Sequence, residues 1–109
     1  MNILAVDSDI GALSNLEKTL LSVYKGAKVL AFSDPLMAIK YGSLYAVDII
    51  YTEIKLPHLD GVTLARMFKK RYPGMCIYLI SNAFSEGIPV WEFSGLLLKP
   101  VDGVQVLKS

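Results

Sequence analysis

Residues 48–61 restrict the fold more than any other part of the chain. They open with a short apolar run that predicts a buried strand over residues 49–52. The run ends in an acid, Glu53, and is followed by a proline and then an Asp-Gly turn. A carboxylate at the carboxyl end of a buried strand stands where α/β sheets carry their chemistry. Glu53 is therefore the candidate centre of a site.

Four further apolar runs have the length of strands, and helical patterns alternate with them. Strands are predicted over residues 3–6, 27–32, 49–52, 76–80 and 96–98. Strands that are solidly apolar are buried on both faces, which is typical of a parallel sheet covered by helices on each side. Right-handed crossovers and the strand order 2-1-3-4-5 bring the carboxyl ends of strands 1 and 3 together.

Helices are predicted after Ser8-Asp9, after Asp34 and after Asp60-Gly61, and the second of them is expected to end at Gly42. The fourth helix is expected to be short or irregular because Gly87 and Pro89 interrupt its segment. The last helix, over residues 101–107, is also short. One domain is expected over residues 1–109, with any output domain outside it.

Composition limits the class of protein. A chain of 109 residues, 53% hydrophobic and 19% charged, is expected to form one globular domain. The net charge of +1 gives no argument for a nucleic-acid or membrane surface. No apolar run is long enough for a bilayer, and the start does not look like a signal peptide. Cys76, the single cysteine, is expected to be an inert core thiol. These features favour a cytoplasmic protein without a membrane partner.

The outlying polar signals all fall at the carboxyl ends of predicted strands. They are Asp7-Ser8-Asp9, Glu53, Ser81 and Lys99. One acid after a strand is often only a helix cap, and Asp9 is interpreted in that way. Four such signals on strands 1, 3, 4 and 5 are hard to explain as caps. They predict a pocket at the carboxyl edge of the sheet.

This spacing resembles the receiver domain of two-component response regulators. The resemblance extends over nearly the whole chain and is carried by Val6-Asp7, the segment from Asp48 through Glu53 to Asp60-Gly61, Ser81 and the closing Leu-Leu-Lys-Pro. It implies a flavodoxin-like (βα)5 fold and a role in phosphorelay signal transduction. The run that ends in Lys99-Pro100 also looks like receivers that precede transcriptional output domains.

The resemblance also implies residue roles. In that family an aspartate at the position of Glu53 takes a phosphoryl group, and acids at the positions of Asp7 and Ser8 hold magnesium. A Ser or Thr at Ser81 and the lysine at Lys99 bind the phosphoryl oxygens. Here the acceptor is a glutamate and the second acid is a serine. In addition, Leu96 stands where the family often carries a switchable aromatic residue.

Charge and geometry suggest what these departures change. Asp7 and Glu53 face Lys99 and, in one of two interpretations, also Lys55; in the other, Lys55 points into solvent. The charges can balance without a metal, so no tight Mg²⁺ site is expected. At most a weak ion would be held by Asp7, Glu53 and the backbone of Lys55. The extra methylene of Glu53 brings its carboxylate toward the place where a phosphoryl group would sit, near Ser81 and Lys99.

The leading hypothesis is a degenerate, phosphorylation-independent receiver domain that is not an enzyme and acts as a regulatory or protein-interaction module. Glu53 either holds an active-like state or leaves the pocket inert, and the sequence leaves both versions open. The expected partners are proteins: the chain's own output domain, a histidine kinase or a second copy. Nucleic acid would be reached only through an output domain.

The alternative is a magnesium-dependent phosphatase of the haloacid-dehalogenase type. Asp7 would be its nucleophile and Asp9 its general acid. Gly11 replaces the Thr or Val usual in that family, and no later acidic pair is present for the metal. A flavin-binding flavodoxin is less favoured still, because the loop after the first strand is acidic where a phosphate cradle needs amides and hydroxyls.

Overall fold

The computed structural model describes residues 1–109 and contains one five-stranded sheet. The strands are β1 (Asn2–Val6), β2 (Lys28–Phe32), β3 (Ile49–Glu53), β4 (Cys76–Ser81) and β5 (Gly95–Leu98). Their order is β2-β1-β3-β4-β5, and every neighbouring pair is parallel. This confirms the predicted flavodoxin-like sheet.

Four α-helices connect and cover the strands: α1 (Ile10–Val23), α2 (Pro35–Leu44), α3 (Gly61–Arg71) and α4 (Gly103–Lys108). Each begins after an aspartate whose side chain accepts a hydrogen bond from a first-turn amide, which satisfies one of the donors left free at a helix start. These caps are Asp9, Asp34, Asp60 and Asp102. None of these helices combines the length and the apolar character that a membrane span requires.

The core lies on both faces of the sheet. One face packs against α1 and α4 and contains the stacked rings of Tyr51 and Tyr78, whose centroids are 4.9 Å apart. The other face packs against α2 and α3, with Phe68 and Leu64 of α3 buried. Because the central strands are covered on both sides, their side chains form continuous apolar runs, and only their ends carry polar groups.

One expectation about helix length is wrong, and the expectation of a short or irregular fourth helix is confirmed. Helix α2 does not end at Gly42 but continues to Leu44. Gly42 is buried against the ring of Phe68, where a Cβ atom would collide with that ring. Tertiary packing therefore outweighs the roughly 1 kcal/mol that glycine costs inside a helix. The short fourth helix is only a single 3-10 turn, Val90–Glu92.

The expectation that Cys76 is an inert core thiol is wrong. Its side chain is exposed. Cys76 is the first residue of β4 and alternates onto the same sheet face as Tyr78. That face is covered near β4 and β5 by the six-residue helix α4, which leaves this end of the strand open.

Candidate functional site

Three charged side chains meet at the carboxyl edge of the sheet. The Nζ atom of Lys99 lies 2.8 Å from Oδ2 of Asp7 and 2.9 Å from Oε1 of Glu53. Lys99 follows β5, Asp7 follows β1, and Glu53 is the last residue of β3. The parallel arrangement brings these strand ends together, so residues 46 and 92 positions apart form a single ion cluster.

Ser8 completes the contacts of the Glu53 carboxylate. The backbone amide of Ser8 donates to Oε2 of Glu53 over 3.2 Å, and the Ser8 hydroxyl donates to the same oxygen over 3.1 Å. Asp7 is held in a similar way, because the amide of Asp9 donates to its Oδ1 atom over 2.9 Å. All four oxygens of the two carboxylates therefore have a donor within the protein.

Because the carboxyl groups of Asp7 and Glu53 are buried, these contacts affect their pKa values. Asp7 is 1% exposed and Glu53 is 8% exposed. Burial raises the pKa of Asp7, and the neighbouring Glu53 adds to this against the opposing effect of Lys99. Burial also acts to raise the pKa of Glu53, but Asp7, Lys99 and the Ser8 amide together outweigh it and lower that pKa. The pKa values of the two carboxyl groups are thus shifted in opposite directions.

The pKa of Lys99 reflects the same cluster. Desolvation is the largest single effect on its ammonium group and acts to lower the pKa. Hydrogen bonds and attraction from Asp7 and Glu53 overcome this and raise the pKa above its ordinary value. Lys99 therefore stays protonated, and its positive charge is paired with the carboxylates of Asp7 and Glu53.

Ser81 and Lys55 come to the same edge without joining the cluster. Both line a cavity of about 390 Å³ next to Glu53. The Ser81 hydroxyl donates to the carbonyl of Ala83 over 2.9 Å and makes no hydrogen bond to Glu53 or Lys99. Lys55 is exposed and forms no ion pair, as in the interpretation that pointed it into solvent.

Pro100 and Asp9 lie near the ion cluster but form none of its ion pairs. Pro100 follows Lys99 and lines a second cavity of about 340 Å³, which it shares with Asp7 and Lys99. Asp9 faces its own helix, where Oδ1 accepts a hydrogen bond from the amide of Ala12 over 3.1 Å. It is the cap of α1, as the spacing indicated.

The donor set does not fit the magnesium ion that the resemblance implies. Mg²⁺ needs near-octahedral oxygen ligands with free lone pairs directed at it. Here Asp7 and Glu53 are the two carboxylates of the cluster, and Lys99 with Ser8 and the Asp9 amide already engages their oxygens. No group of three His, Cys, Asp or Glu side chains is assembled in an arrangement that could hold a metal ion.

Two contributions to the site were not foreseen from the sequence. Ser8 was interpreted as a lost metal ligand, whereas it supplies two donors to Glu53. Gly61 was interpreted only as part of a turn. Its amide donates to Ile54 over 2.7 Å, and any Cβ atom on it would collide with the carbonyl of Glu53. The Asp60-Gly61 pair signalled the turn, but nothing in the sequence signalled this close approach to Glu53.

A parallel 2-1-3-4-5 sheet with a carboxylate after β1, a carboxylate at the end of β3 and a lysine after β5 has the architecture of a receiver-type domain. Comparison with known families gives the particular family. The model of the response regulator receiver domain matches residues 3–109, so the chain belongs to that family and to two-component signalling.

Individual proteins agree with this assignment. The signal receiver domain of an HD domain-containing protein from Pseudomonas fluorescens Pf-5 is 25% identical, with a TM-score of 0.85 over 98% of this chain and 88% of that chain. The chemotaxis response regulator CheY4 of Vibrio cholerae shares the fold, with 21% identity and a TM-score of 0.85 over 98% of this chain and 92% of that one.

A curated relative is much longer than this chain. It is the cyclic di-GMP phosphodiesterase response regulator RpfG of Xanthomonas campestris pv. campestris (strain 8004), 29% identical over 70 residues. The match spans 64% of this chain but only 18% of that protein.

Proposed function

We propose that this receiver domain regulates through protein contacts and does not use phosphorylation at the position of Glu53. In this proposal Glu53 is the counterpart of the phospho-acceptor, and Asp7, Ser8, Ser81 and Lys99 are the counterparts of the other pocket residues. One observation carries the proposal: both Glu53 oxygens are engaged, Oε1 by Lys99 and Oε2 by Ser8.

Phosphoryl transfer to a carboxylate needs an oxygen free to attack phosphorus in line. It also needs positive charge directed at the phosphoryl oxygens, where negative charge develops. In this pocket Lys99 directs its charge at Asp7 and Glu53, and a third carboxylate to recruit a metal is absent. Both requirements are therefore weakened at once.

The arrangement also argues against chemistry at Asp7. A phosphatase of the haloacid-dehalogenase type would need a free Asp7 oxygen and an Asp9 able to donate a proton. Asp7 is buried with both oxygens engaged, and Asp9 caps α1. Together with the family assignment, this leaves the phosphatase alternative without support, and we expect no catalytic activity from the domain itself.

Two versions of the proposal differ in signalling state. In the active-like version the carboxylate of Glu53 replaces a phosphoryl group and draws Ser81 toward it. In the inert version Ser81 stays away. The bond from Ser81 to Ala83 supports the inert version, and so does Leu96, which has no ring or hydroxyl to move. Partners would be an output domain, a histidine kinase or a second copy, with nucleic acid reached only through an output domain.

Incubation of the 109-residue protein with acetyl phosphate and Mg²⁺ tests the proposal. We expect intact-mass spectrometry to show only the unmodified mass, because both Glu53 oxygens are engaged and Lys99 is paired with Asp7 and Glu53. A mass increase of one phosphoryl group that peptide mapping assigns to Glu53 would contradict the proposal.

A further inference from the structure

Positive charge is concentrated on one side of the molecule. Helices α2 and α3 contain no acidic residue, although the chain as a whole has ten acids and a net charge of only +1. Asp34 and Asp60, which precede the two helices, are engaged as caps. The basic residues of the two helices are Lys40, Arg66, Lys69, Lys70 and Arg71.

Four of these five charges have no carboxylate partner, and only Arg66 has one. Arg66 forms a two-bond ion pair with Glu92, and Lys69 donates to the carbonyl of the same residue. Lys40, Lys70 and Arg71 take part in none of the ion pairs of the chain.

Arg71 has a fixed position despite its exposure. Its guanidinium donates to the carbonyl of Gly42 over 3.1 Å and to that of Ser43 over 3.2 Å. Carbonyl groups orient the guanidinium without neutralising it. A positive charge is thereby presented beside the C-terminal end of α2.

The same side of the molecule is apolar where a surface helix is usually polar. Leu36, Met37 and Leu44 of α2 are 50%, 51% and 66% exposed, and Met67 of α3 is 44% exposed. Within α2 these leucines and the methionine, together with Lys40, recur at the spacing of one helical face. We call these residues of α2, together with Met67, Lys70 and Arg71 of α3, the α2–α3 face.

A cavity lies between the two helices. It has a volume of about 110 Å³ and is lined by Ile39, Gly42, Ser43, Met67, Phe68 and Arg71. Gly42 contributes no side chain, and the space beside it is bounded by Phe68. The cavity has room for one aliphatic side chain, with the Arg71 charge at its rim.

We propose that the α2–α3 face binds an acidic amphipathic helix of a partner protein. One apolar side chain of that helix enters the cavity, and its flanking carboxylates face Lys40, Lys70 and Arg71. Apolar anchors in a groove with complementary charge at the rim are the usual elements of such recognition. A concave site for a single side chain favours a helix over an anionic membrane, which would need a flat apolar face. The proposal is independent of the pocket around Glu53.

A synthetic helical peptide provides the probe. It has about 18 residues, with leucines at the i, i+3, i+4 and i+7 spacing and glutamates on the flanking positions. We expect saturable binding to the full chain, with a Kd on the order of tens of micromolar. Amide chemical-shift changes on binding should be confined to α2 and α3. The same peptide with lysine in place of glutamate should not bind.

Two variants of equal net charge separate a site from general attraction. Lys40→Glu with Lys70→Glu should weaken binding by about tenfold or more, because close like charges replace close opposite ones. Lys18→Glu with Lys25→Glu, on exposed residues at and after α1 on the other side of the sheet, should change it by less than about twofold.

Three outcomes would overturn the proposal. They are the absence of saturable peptide binding, equal weakening by both double variants, and shift changes centred outside α2 and α3. Vesicles containing phosphatidylserine form the last arm of the test. If the protein sediments with them through Lys40 and Lys70 while the acidic peptide fails to bind, the α2–α3 face is a membrane surface and the peptide proposal is wrong.

Discussion

Replacing Ser8 and Glu53 together by aspartate should convert this pocket into one that accepts a phosphoryl group. Ser8→Asp restores a carboxylate to the pair that begins with Asp7, so a divalent ion gains a charged ligand. Glu53→Asp withdraws the carboxylate by one methylene, which should free Lys99 for the phosphoryl oxygens. We expect the rate of adduct formation from acetyl phosphate and Mg²⁺ to rise by at least about 10³-fold over the unmodified chain.

The single variants are the controls for this result. Glu53→Asp alone should give little adduct, because the pocket still lacks the second acid at Ser8. Ser8→Asp alone should also give little, because Glu53 still binds Lys99. Intact mass followed by peptide mapping should place the new phosphoryl group at position 53. A double variant as unreactive as the unmodified chain would show that these two residues are not what separates this pocket from a reactive one.

The second large effect concerns Lys99. Lys99→Met keeps much of the side-chain length but leaves Asp7 and Glu53 buried beside one another without their cation. Removal of one partner from a buried ion cluster typically costs about 3–5 kcal/mol, because an uncompensated charge stays behind. We expect a loss of this size in the free energy of unfolding, measured with urea at neutral pH.

The pH dependence of the variant follows from the same charges. Without Lys99 both carboxyl groups should have raised pKa values in the folded protein, so folding favours their protonated forms. A carboxyl group with a raised pKa contributes stability at low pH and loses it as the pH rises through that pKa. The difference between Lys99→Met and the unmodified chain should therefore be small in acid and grow toward neutral pH. In the unmodified chain, the lowered pKa of Glu53 adds stability that is lost as the pH falls through it.

Lys55→Met is the matched control for Lys99→Met. Lys55 lines the cavity beside Glu53, is exposed and has no ion pair, so its replacement should change stability by no more than about 0.5 kcal/mol. Adding Glu53→Gln to Lys99→Met removes one of the two uncompensated charges and should recover part of the loss. Equal effects of Lys99→Met and Lys55→Met would show that the ion cluster does not hold the strand ends together.

The sheet and the position of Glu53 could be predicted because they depend on regular features. Buried parallel strands are continuous apolar runs, and a polar residue that ends such a run has to lie at the carboxyl edge. The spacing of Asp7, Glu53 and Lys99 along the chain thus indicated one edge of one sheet. The acidic caps were also predictable for Asp9 and Asp34, because a short side-chain oxygen before a helical pattern has a local partner.

The features that escaped prediction depend on contacts that local pattern does not encode. Helix α2 passes Gly42 because Phe68 of another helix packs against it. Cys76 lies in an apolar run, yet it is exposed because the helix over that face is short. In each case a distant element overrides the local signal.

Direct titration of the Glu53 carboxyl group by ¹³C NMR, with and without millimolar Mg²⁺, tests whether this side chain is held by Lys99 and Ser8. If it is, Glu53 should titrate below its ordinary pKa, Mg²⁺ should leave that pKa unchanged, and Lys99→Met should raise it. A Glu53 that titrates at or above its ordinary pKa, or whose pKa falls markedly when Mg²⁺ is added, would show a carboxylate that is free to bind a metal and would contradict the role proposed for it.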